Sequence, residues 1–158
     1  MVVLLADLYL YKIGTVDFFE AFFNNIAHHL ENRKWGSRFP IVMGEFYDGE
    51  LKYENLDKAK KELEQIREEF KKFKPSEVIW DFNDLTKRPP WGDNIADHIT
   101  SLSNYFAVCD KSRDLFEVIF EAIQDAKEGK SSLKIENLLN YDVRIIRLTN
   151  EDDKNLKK

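Results

Sequence analysis

Several kinds of residue on which secreted, membrane and metal-binding proteins depend are scarce in this 158-residue sequence. There is one cysteine, Cys109, so no internal disulfide can form, as is usual in the reducing cytoplasm. No apolar run approaches the ~20 residues that cross a bilayer, which excludes a membrane-spanning helix. The N-terminal residues have no basic cluster, and Asp7 interrupts their apolar run, so we predict a strand there and not a signal peptide. The sequence therefore predicts a cytoplasmic protein.

Groups that carry out catalysis or ligate metals are equally scarce. His28 and His29 are neighbours on a predicted helix and project about 100° apart, so one face cannot offer both to an ion. His98 follows Asp97, but adjacent residues do not form a catalytic pair. Cys109 lies in an apolar run, which favours a buried, inert thiol. No phosphate-loop glycine pattern is present, so we predict a protein that is not an enzyme and has no metal or cofactor.

The composition that remains is that of a globular, acidic protein. Hydrophobic residues make up 43% of the chain and aromatic residues 13%, enough for one well-filled core and against disorder. Charged residues make up 34%, so the exterior is heavily charged. The net charge of −5 disfavours nucleic acid and anionic membranes as partners and suits a basic protein.

Hydrophobic periodicity predicts a single α+β domain over residues 1–148, followed by a polar, frayed tail at 149–158. We expect one mixed or mostly antiparallel sheet with about three α-helices packed on it. Strands are predicted at 2–13, 39–46, 51–53, 77–82, 104–109, 133–135 and 143–148. Helices are predicted to begin after Thr15, after Asn55 and after Asp110 or Ser112, and to end before Trp35, near Phe73 and near Lys127, where Gly129 follows.

The first helix has two faces of opposite character. Its apolar stripe, predicted to lie on the sheet, consists of Phe18, Phe19, Phe22, Phe23, Ile26, Ala27 and Leu30. Its polar face consists of Glu20, Asn24, Asn25, His28, Glu31 and Asn32.

The last of the three predicted helices, which we number α3, begins after Asp110 or Ser112 and carries a column of carboxylates that we call the α3 acidic strip. Its members, within an arc of about 80°, are Asp114, Glu117, Glu121, Asp125 and Glu128. Such a column repels itself by a few tenths of a kcal/mol per i, i+4 pair. It is either a solvated acidic face or a docking strip for a cationic partner, where charge raises association rate and specificity.

A second acidic run surrounds the turn predicted at Asp48-Gly49, and we call it the turn surface. Its carboxylates are Glu45, Asp48, Glu50, Glu54 and Asp57, offset only by Lys52. Tyr47 and Tyr53 flank the turn. The run is either an ordinary solvated turn or an interface hot spot, since aromatics beside carboxylates suit a partner's lysines and arginines.

The stretch 88–95, Arg-Pro-Pro-Trp-Gly-Asp-Asn-Ile, is rich in residues that restrict or redirect the backbone. Trp91 is either a lid folded onto the core or an exposed anchor for a partner. Arg88, Asp93 and Asn94 then supply either a hydrogen-bond clasp within the fold or the polar rim of an interface.

Three segments resemble a family of bacterial immunity proteins from polymorphic toxin systems. They are residues 4–14 (Leu-Leu-Ala-Asp-Leu-Tyr-Leu-Tyr-Lys-Ile-Gly), 90–95 (Pro-Trp-Gly-Asp-Asn-Ile) and 102–106 (Leu-Ser-Asn-Tyr-Phe). With the α+β element order, the resemblance covers most of residues 2–136. It implies a cytoplasmic protein that binds and blocks the C-terminal domain of a neighbouring toxin, often a basic nuclease, and it brings no catalytic residues with it.

Two other functions remain open at this point. A generic interaction or adaptor module would show the same surface without a toxin partner. A small enzyme would require a deep polar pocket with strongly perturbed titrating groups. The sequence leaves open whether the protein is a monomer or a homodimer.

Overall fold

Four short strands form one antiparallel sheet in the computed structural model, which describes residues 1–138. The strands are β1 Val2–Ala6, β2 Tyr9–Gly14, β3 Glu50–Leu51 and β4 Leu133–Asn137, in the order β2-β1-β4-β3. The α-helices are α1 Val16–Asn25, α2 Leu56–Phe70 and α3 Leu115–Glu128. Shorter turns are π-helical at Ile26–Leu30 and Ile41–Phe46 and 3-10 at Tyr53–Asn55, Pro75–Glu77 and Leu102–Asn104. The predicted α+β class is confirmed.

The long strand predicted at 2–13 is wrong, because the chain reverses within it. β1 and β2 pair as a hairpin in which Ala6 lies opposite Tyr9, so Asp7 and Leu8 form the turn. Asp7 adopts a φ of 56°, a left-handed conformation that aspartate tolerates better than most residues. The reversal makes β1 a central strand, paired with β2 on one side and β4 on the other.

The first helix begins as predicted, but its aromatic stripe contacts other parts of the fold besides the sheet. Thr15 caps α1 by accepting a hydrogen bond from the Phe18 amide at 3.1 Å. The fully buried Phe22 ring contacts three rings outside the helix, those of Phe70, Phe106 and Phe116, with centroids 5.3–6.5 Å apart. Phe22 therefore joins α1 to both other helices.

The second helix confirms the predicted narrow seam. Its five apolar positions within α2 are all buried, and the chain leaves the α-helix at Phe70, shortly before Pro75. Asn55 occupies the N-cap position as predicted, but its side chain makes no capping bond and donates instead to Glu45 at 2.7 Å.

Three of the predicted strands are absent. Residues 41–46 form a π-helical turn whose first amides, those of Ile41 and Val42, donate to the Glu62 carboxylate of α2 at 3.3 and 2.9 Å. Residues 77–82 run beside α1 and not beside a strand, with one isolated bridge between Asp81 and Asp84. The segment 104–109 contributes only one bridge, at Ala107, and Cys109 is exposed where a buried thiol was predicted.

The third helix begins later than predicted. Asp114 is the N-cap and accepts from the Glu117 amide at 3.1 Å, whereas Lys111 and Ser112 adopt positive φ in the preceding turn. Gly129 ends the helix as predicted. A Cβ at Gly129 would lie 2.5 Å from the Asp7 carboxyl carbon, so the β1–β2 turn packs where a side chain would otherwise be.

The predicted strand 143–148 and the polar tail 149–158 lie outside the described residues. Within residues 1–138, no helix is long and apolar enough to cross a membrane.

The loop between α1 and the turn at 41–46 is fastened by one buried carboxylate. Glu31 is 2% exposed and accepts hydrogen bonds from the amides of Gly36, Arg38 and Phe39 at 3.0–3.1 Å. Arg38 in turn makes two 2.8 Å hydrogen bonds to Glu69 of α2. The polar face of the first helix is therefore buried in part and serves as an anchor.

We expect Glu31→Ala to lower the free energy of unfolding by about 3 kcal/mol, because three amide donors lose their acceptor in a site closed to water. Urea unfolding measures the change. Glu64→Ala, at an exposed position of α2, is the control and should cost less than about 0.5 kcal/mol. Equal effects of the two substitutions would contradict the anchoring role.

Candidate partner-binding surfaces

The N-terminal half of the α3 acidic strip is paired with an arginine from α2. Arg67 lies 2.7 Å from a Glu117 oxygen and 3.6 Å from an Asp114 oxygen. The Asp114 side chain also caps α3, and burial raises its pKa above the usual range of a carboxyl. This end of the strip therefore ties α3 to α2.

The middle of the strip is bonded to the β2 strand. The Tyr11 hydroxyl donates to Asp125 and, at 3.3 Å, to Glu121, and Arg113 forms an ion pair with Glu121. Burial, followed by the hydrogen bond to Asp125, raises the pKa of the Tyr11 phenol. Only Glu117 and Glu128 are exposed among the five carboxylates, and Glu128 accepts from Gln124 at 3.0 Å. Most carboxylates of the strip are therefore bonded to other elements of the fold.

On the turn surface, too, some residues are bonded within the fold and others are exposed. Glu45 accepts hydrogen bonds from the Lys52 amide and the Asn55 side chain, both at 2.7 Å. Tyr47 donates to Glu20 at 2.6 Å, and burial together with this bond raises the pKa of Tyr47 to about 12. The residues left exposed are Asp48, Glu50, Tyr53, Glu54 and Asp57, of which Asp57 pairs with Lys127 at 3.1 Å.

Arg88 forms the hydrogen-bond clasp that was one of the two alternatives for the central stretch. Its guanidinium donates to the Val78 carbonyl at 2.8 Å and to Asp93 at 3.2 Å. Gly92 closes the turn by donating to the Pro89 carbonyl at 3.0 Å, and its φ of 77° is one that glycine adopts without strain. The loop is therefore fastened at both ends.

Trp91 combines features of the lid and of the anchor. Its indole N–H donates to the Tyr105 hydroxyl at 2.7 Å, and its ring meets Trp80 and Phe18 with centroids 5.2 and 6.3 Å apart. Its side chain is nevertheless 45% exposed. We call Phe18, Trp80, Trp91 and Tyr105 the aromatic platform.

Asn25 holds the segment that carries Trp80, and sequence reasoning assigned it only to a polar helix face. The side chain is fully buried, accepts from the Ile79 amide at 2.9 Å, and donates to the Ile79 carbonyl at 2.8 Å and the Ala21 carbonyl at 2.7 Å. The Asn25 side chain thus bonds both backbone groups of Ile79, as a neighbouring strand would. The sequence feature that could have indicated this role is an asparagine inside a phenylalanine-rich helix, because asparagine is unfavourable there without a hydrogen-bonding partner.

Two of the depressions that adjoin the aromatic platform differ in character. The apolar depression has a volume of about 360 Å³ and is lined by Met1, Ile13, Gly14, Thr15, Phe18, Trp91, Ala107 and Cys109. The acidic depression has a volume of about 330 Å³ and is lined by Asp17, Glu20, Asn24, Trp80, Asp81 and Lys87. They share a ridge, because Asp17 and Phe18 are adjacent in the chain and Trp80 contacts Trp91.

His28 and His29 have structural partners. His29 Nε2 lies 2.8 Å from the Glu77 carbonyl, and Arg33 Nη1 lies 3.0 Å from His28 Nδ1. Burial is the main cause that lowers the pKa of both imidazoles below the usual value. Within residues 1–138, no cluster of three or more histidine, cysteine or acidic side chains has a metal-binding arrangement.

The structure is that of a small α+β domain in which a partly exposed tryptophan, fixed by hydrogen bonding and ring contacts, lies among charged surfaces. The sequence matches the family described as Immunity protein 70 over residues 4–135, and the chain belongs to that family. No curated protein and no solved structure matches the chain. The predicted membership of an immunity-protein family is confirmed, and with it the general role of neutralising a cognate toxin protein.

Asn25→Ala should lower the free energy of unfolding by about 2–3 kcal/mol, because the buried amide and carbonyl of Ile79 lose their partner. Urea unfolding with tryptophan fluorescence reports both the stability and the environment of Trp80. The matched control is Asn24→Ala, whose one bond, to the Trp80 carbonyl, is 3.5 Å long, so a loss below about 1 kcal/mol is expected. A larger loss for Asn24→Ala than for Asn25→Ala would contradict the assignment.

The lowered histidine pKa values predict a loss of stability in mild acid. A base with a folded pKa below its unfolded value of about 6.5 stabilises the fold above that pH, and the contribution is lost as the pH falls through the folded pKa. The free energy of unfolding should therefore decline from pH 7 to pH 5.5, and less so in the double variant His28→Gln/His29→Gln. An identical decline in both proteins would exclude these histidines as its source.

Proposed function

We propose that this immunity protein is a non-catalytic inhibitor that acts in the cytoplasm. It binds the C-terminal domain of its cognate toxin, a basic nuclease, and covers the nuclease active site with an acidic, aromatic-bearing surface. The observation that carries the proposal is an exposed tryptophan, held in place by hydrogen bonding and ring contacts, beside carboxylates of a chain whose net charge is −5.

The charge supports a basic partner. Complementary charge steers association and disfavours wrong partners, and a domain that binds nucleic acid carries the opposite sign to this chain. Exposed carboxylates remain on both acidic surfaces, among them Glu117, Glu128, Asp48 and Glu50. These residues supply long-range attraction whether or not they lie inside the contact.

Occlusion requires only a contact of ordinary size. A stable protein interface buries about 1,600 Å² in total, about half on each partner, which is enough to cover the mouth of a nuclease site. Such inhibition needs no chemistry from the inhibitor. It is consistent with a chain in which the perturbed tyrosines and histidines described above are bonded to neighbouring groups within the fold.

Co-expression should rescue cells from the toxin encoded beside this chain, and the purified proteins should form an equimolar complex. Titration of the toxin domain should reduce its degradation of DNA or RNA linearly to zero at one equivalent. The association rate should fall with added salt because opposite charges are screened. Stopped-flow fluorescence of the tryptophans follows the binding step.

Two controls separate inhibition by binding from an enzymatic mechanism. The toxin recovered from the complex by denaturation and refolding should be active and unchanged in mass. A non-cognate toxin domain should be neither bound nor inhibited. Inhibition by a small fraction of one equivalent, or a modified toxin, would show catalysis, and failure of both rescue and complex formation would end the proposal.

A further inference from the structure

We propose that the aromatic platform is the face that docks the toxin domain, with Trp91 as the central anchor. In the complex, an apolar side chain of the toxin occupies the apolar depression, and a lysine or arginine next to it lies against Trp80 and the carboxylates of the acidic depression. This inference rests on the proposed function and specifies the surface that performs it.

Trp91 is prepared for docking before any partner arrives. Its indole N–H already has an acceptor in Tyr105, so burial of the ring does not leave a polar donor without a partner. Its rotamer is held by contacts with Phe18 and Trp80, so little side-chain entropy remains to be lost. Nearly half of the side chain is still available for contact. Interface hot spots are enriched in tryptophans of this kind.

The apolar side of the platform is suited to an aliphatic or aromatic side chain. Met1 is 45% exposed, and it lines the apolar depression with Trp91 and Phe18. A large exposed apolar area on a soluble domain most often marks a binding surface.

The other side of the platform has the charge of a site for a basic residue. The acidic depression holds three carboxylates, Asp17, Glu20 and Asp81, and one ammonium group, Lys87. Glu20 accepts from Tyr47 with one oxygen, and Lys87 lies 3.4 Å from Asp81. Trp80 forms part of its wall and offers a ring for a cation–π contact. The combination matches an extended basic side chain better than a neutral or anionic one.

The other two candidate surfaces have less to offer a partner. The α3 acidic strip has its central carboxylates bonded to Tyr11 and Arg113. On the turn surface, Glu45 and Tyr47 are bonded internally, and the aromatic group left there is Tyr53. Neither surface joins a fixed exposed aromatic side chain to adjoining apolar and acidic depressions.

A second copy of this chain is a poorer occupant than a basic toxin domain. Two copies with a net charge of −5 each would repel one another, and each would bring carboxylates to the carboxylates around Trp80. A basic domain instead gains from the same charge.

The decisive variant is Trp91→Ala in the full chain, tested against the cognate toxin domain. The dissociation constant should rise about 30-fold or more, as for a central hot-spot residue. Tyr53→Ala is the matched control, because Tyr53 is an aromatic residue of nearly equal exposure, 44%, on the turn surface, and it should leave the constant within about twofold. Isothermal titration calorimetry measures the constants, and circular dichroism checks that each variant is folded.

A gain of association rate provides a test that loss of folding cannot imitate. Lys87→Glu removes the cation from the acidic depression and should raise the association rate about threefold at low salt, an advantage that vanishes at high salt. Lys58→Glu makes the same charge change at an exposed position of α2 that lines neither depression, and it should have a smaller effect.

The possible failures have different meanings. If the unaltered protein binds the toxin while Trp91→Ala binds equally well, or Lys87→Glu is no faster than Lys58→Glu, the docking face lies elsewhere and the proposed function stands. If the unaltered protein forms no complex with the toxin, both proposals fall. A homodimer seen by sedimentation and abolished by Trp91→Ala would assign the platform to self-association and overturn the inference.

Discussion

The fold depends on satisfying the backbone of residues 78–80, a segment that runs beside a helix and has no strand as its neighbour. Buried amide and carbonyl groups require partners, and Asn25 supplies them through both ends of its side-chain amide. Asn24 adds a longer bond to the next carbonyl, that of Trp80. Because Trp80 is placed in this way, Trp91 has a ring to pack against, and the aromatic platform forms where α1, this segment and the central loop meet.

Side chains also bond the backbone of other irregular segments, which have no neighbouring strand to do so. Glu31 accepts from three amides of the loop at 36–39, Glu62 accepts from the first amides of the turn at 41–46, and Arg88 donates to the Val78 carbonyl. A small sheet can therefore support long connections. A segment fixed by such bonds loses less conformational entropy on binding a partner than a free one does.

The family assignment and the surface chemistry bear on different parts of the function. Membership of the Immunity protein 70 family establishes neutralisation of a toxin protein and says nothing of the contact surface. The contacts within the fold make the α3 acidic strip a weaker candidate for the contact surface. Most of its carboxylates are paired with Arg67, Arg113 or Tyr11. Trp91 and its neighbours combine fixed geometry with exposure.

The sequence by itself determined the features that depend on near neighbours: the Thr15 cap, the seam of α2 and the end of α3 at Gly129. Tertiary structure decided the features that depend on distant partners. The run at 2–13 alternates well enough for one strand, yet it folds back and pairs with β4, more than 120 residues away. Asn25 and Glu31 belong to a polar helix face by spacing, but they became buried anchors when segments 5 to 54 positions later packed on them. The α3 acidic strip lost most of its free charge to Arg67 and Tyr11 for the same reason: helical periodicity describes one face of one element and not what lies against it.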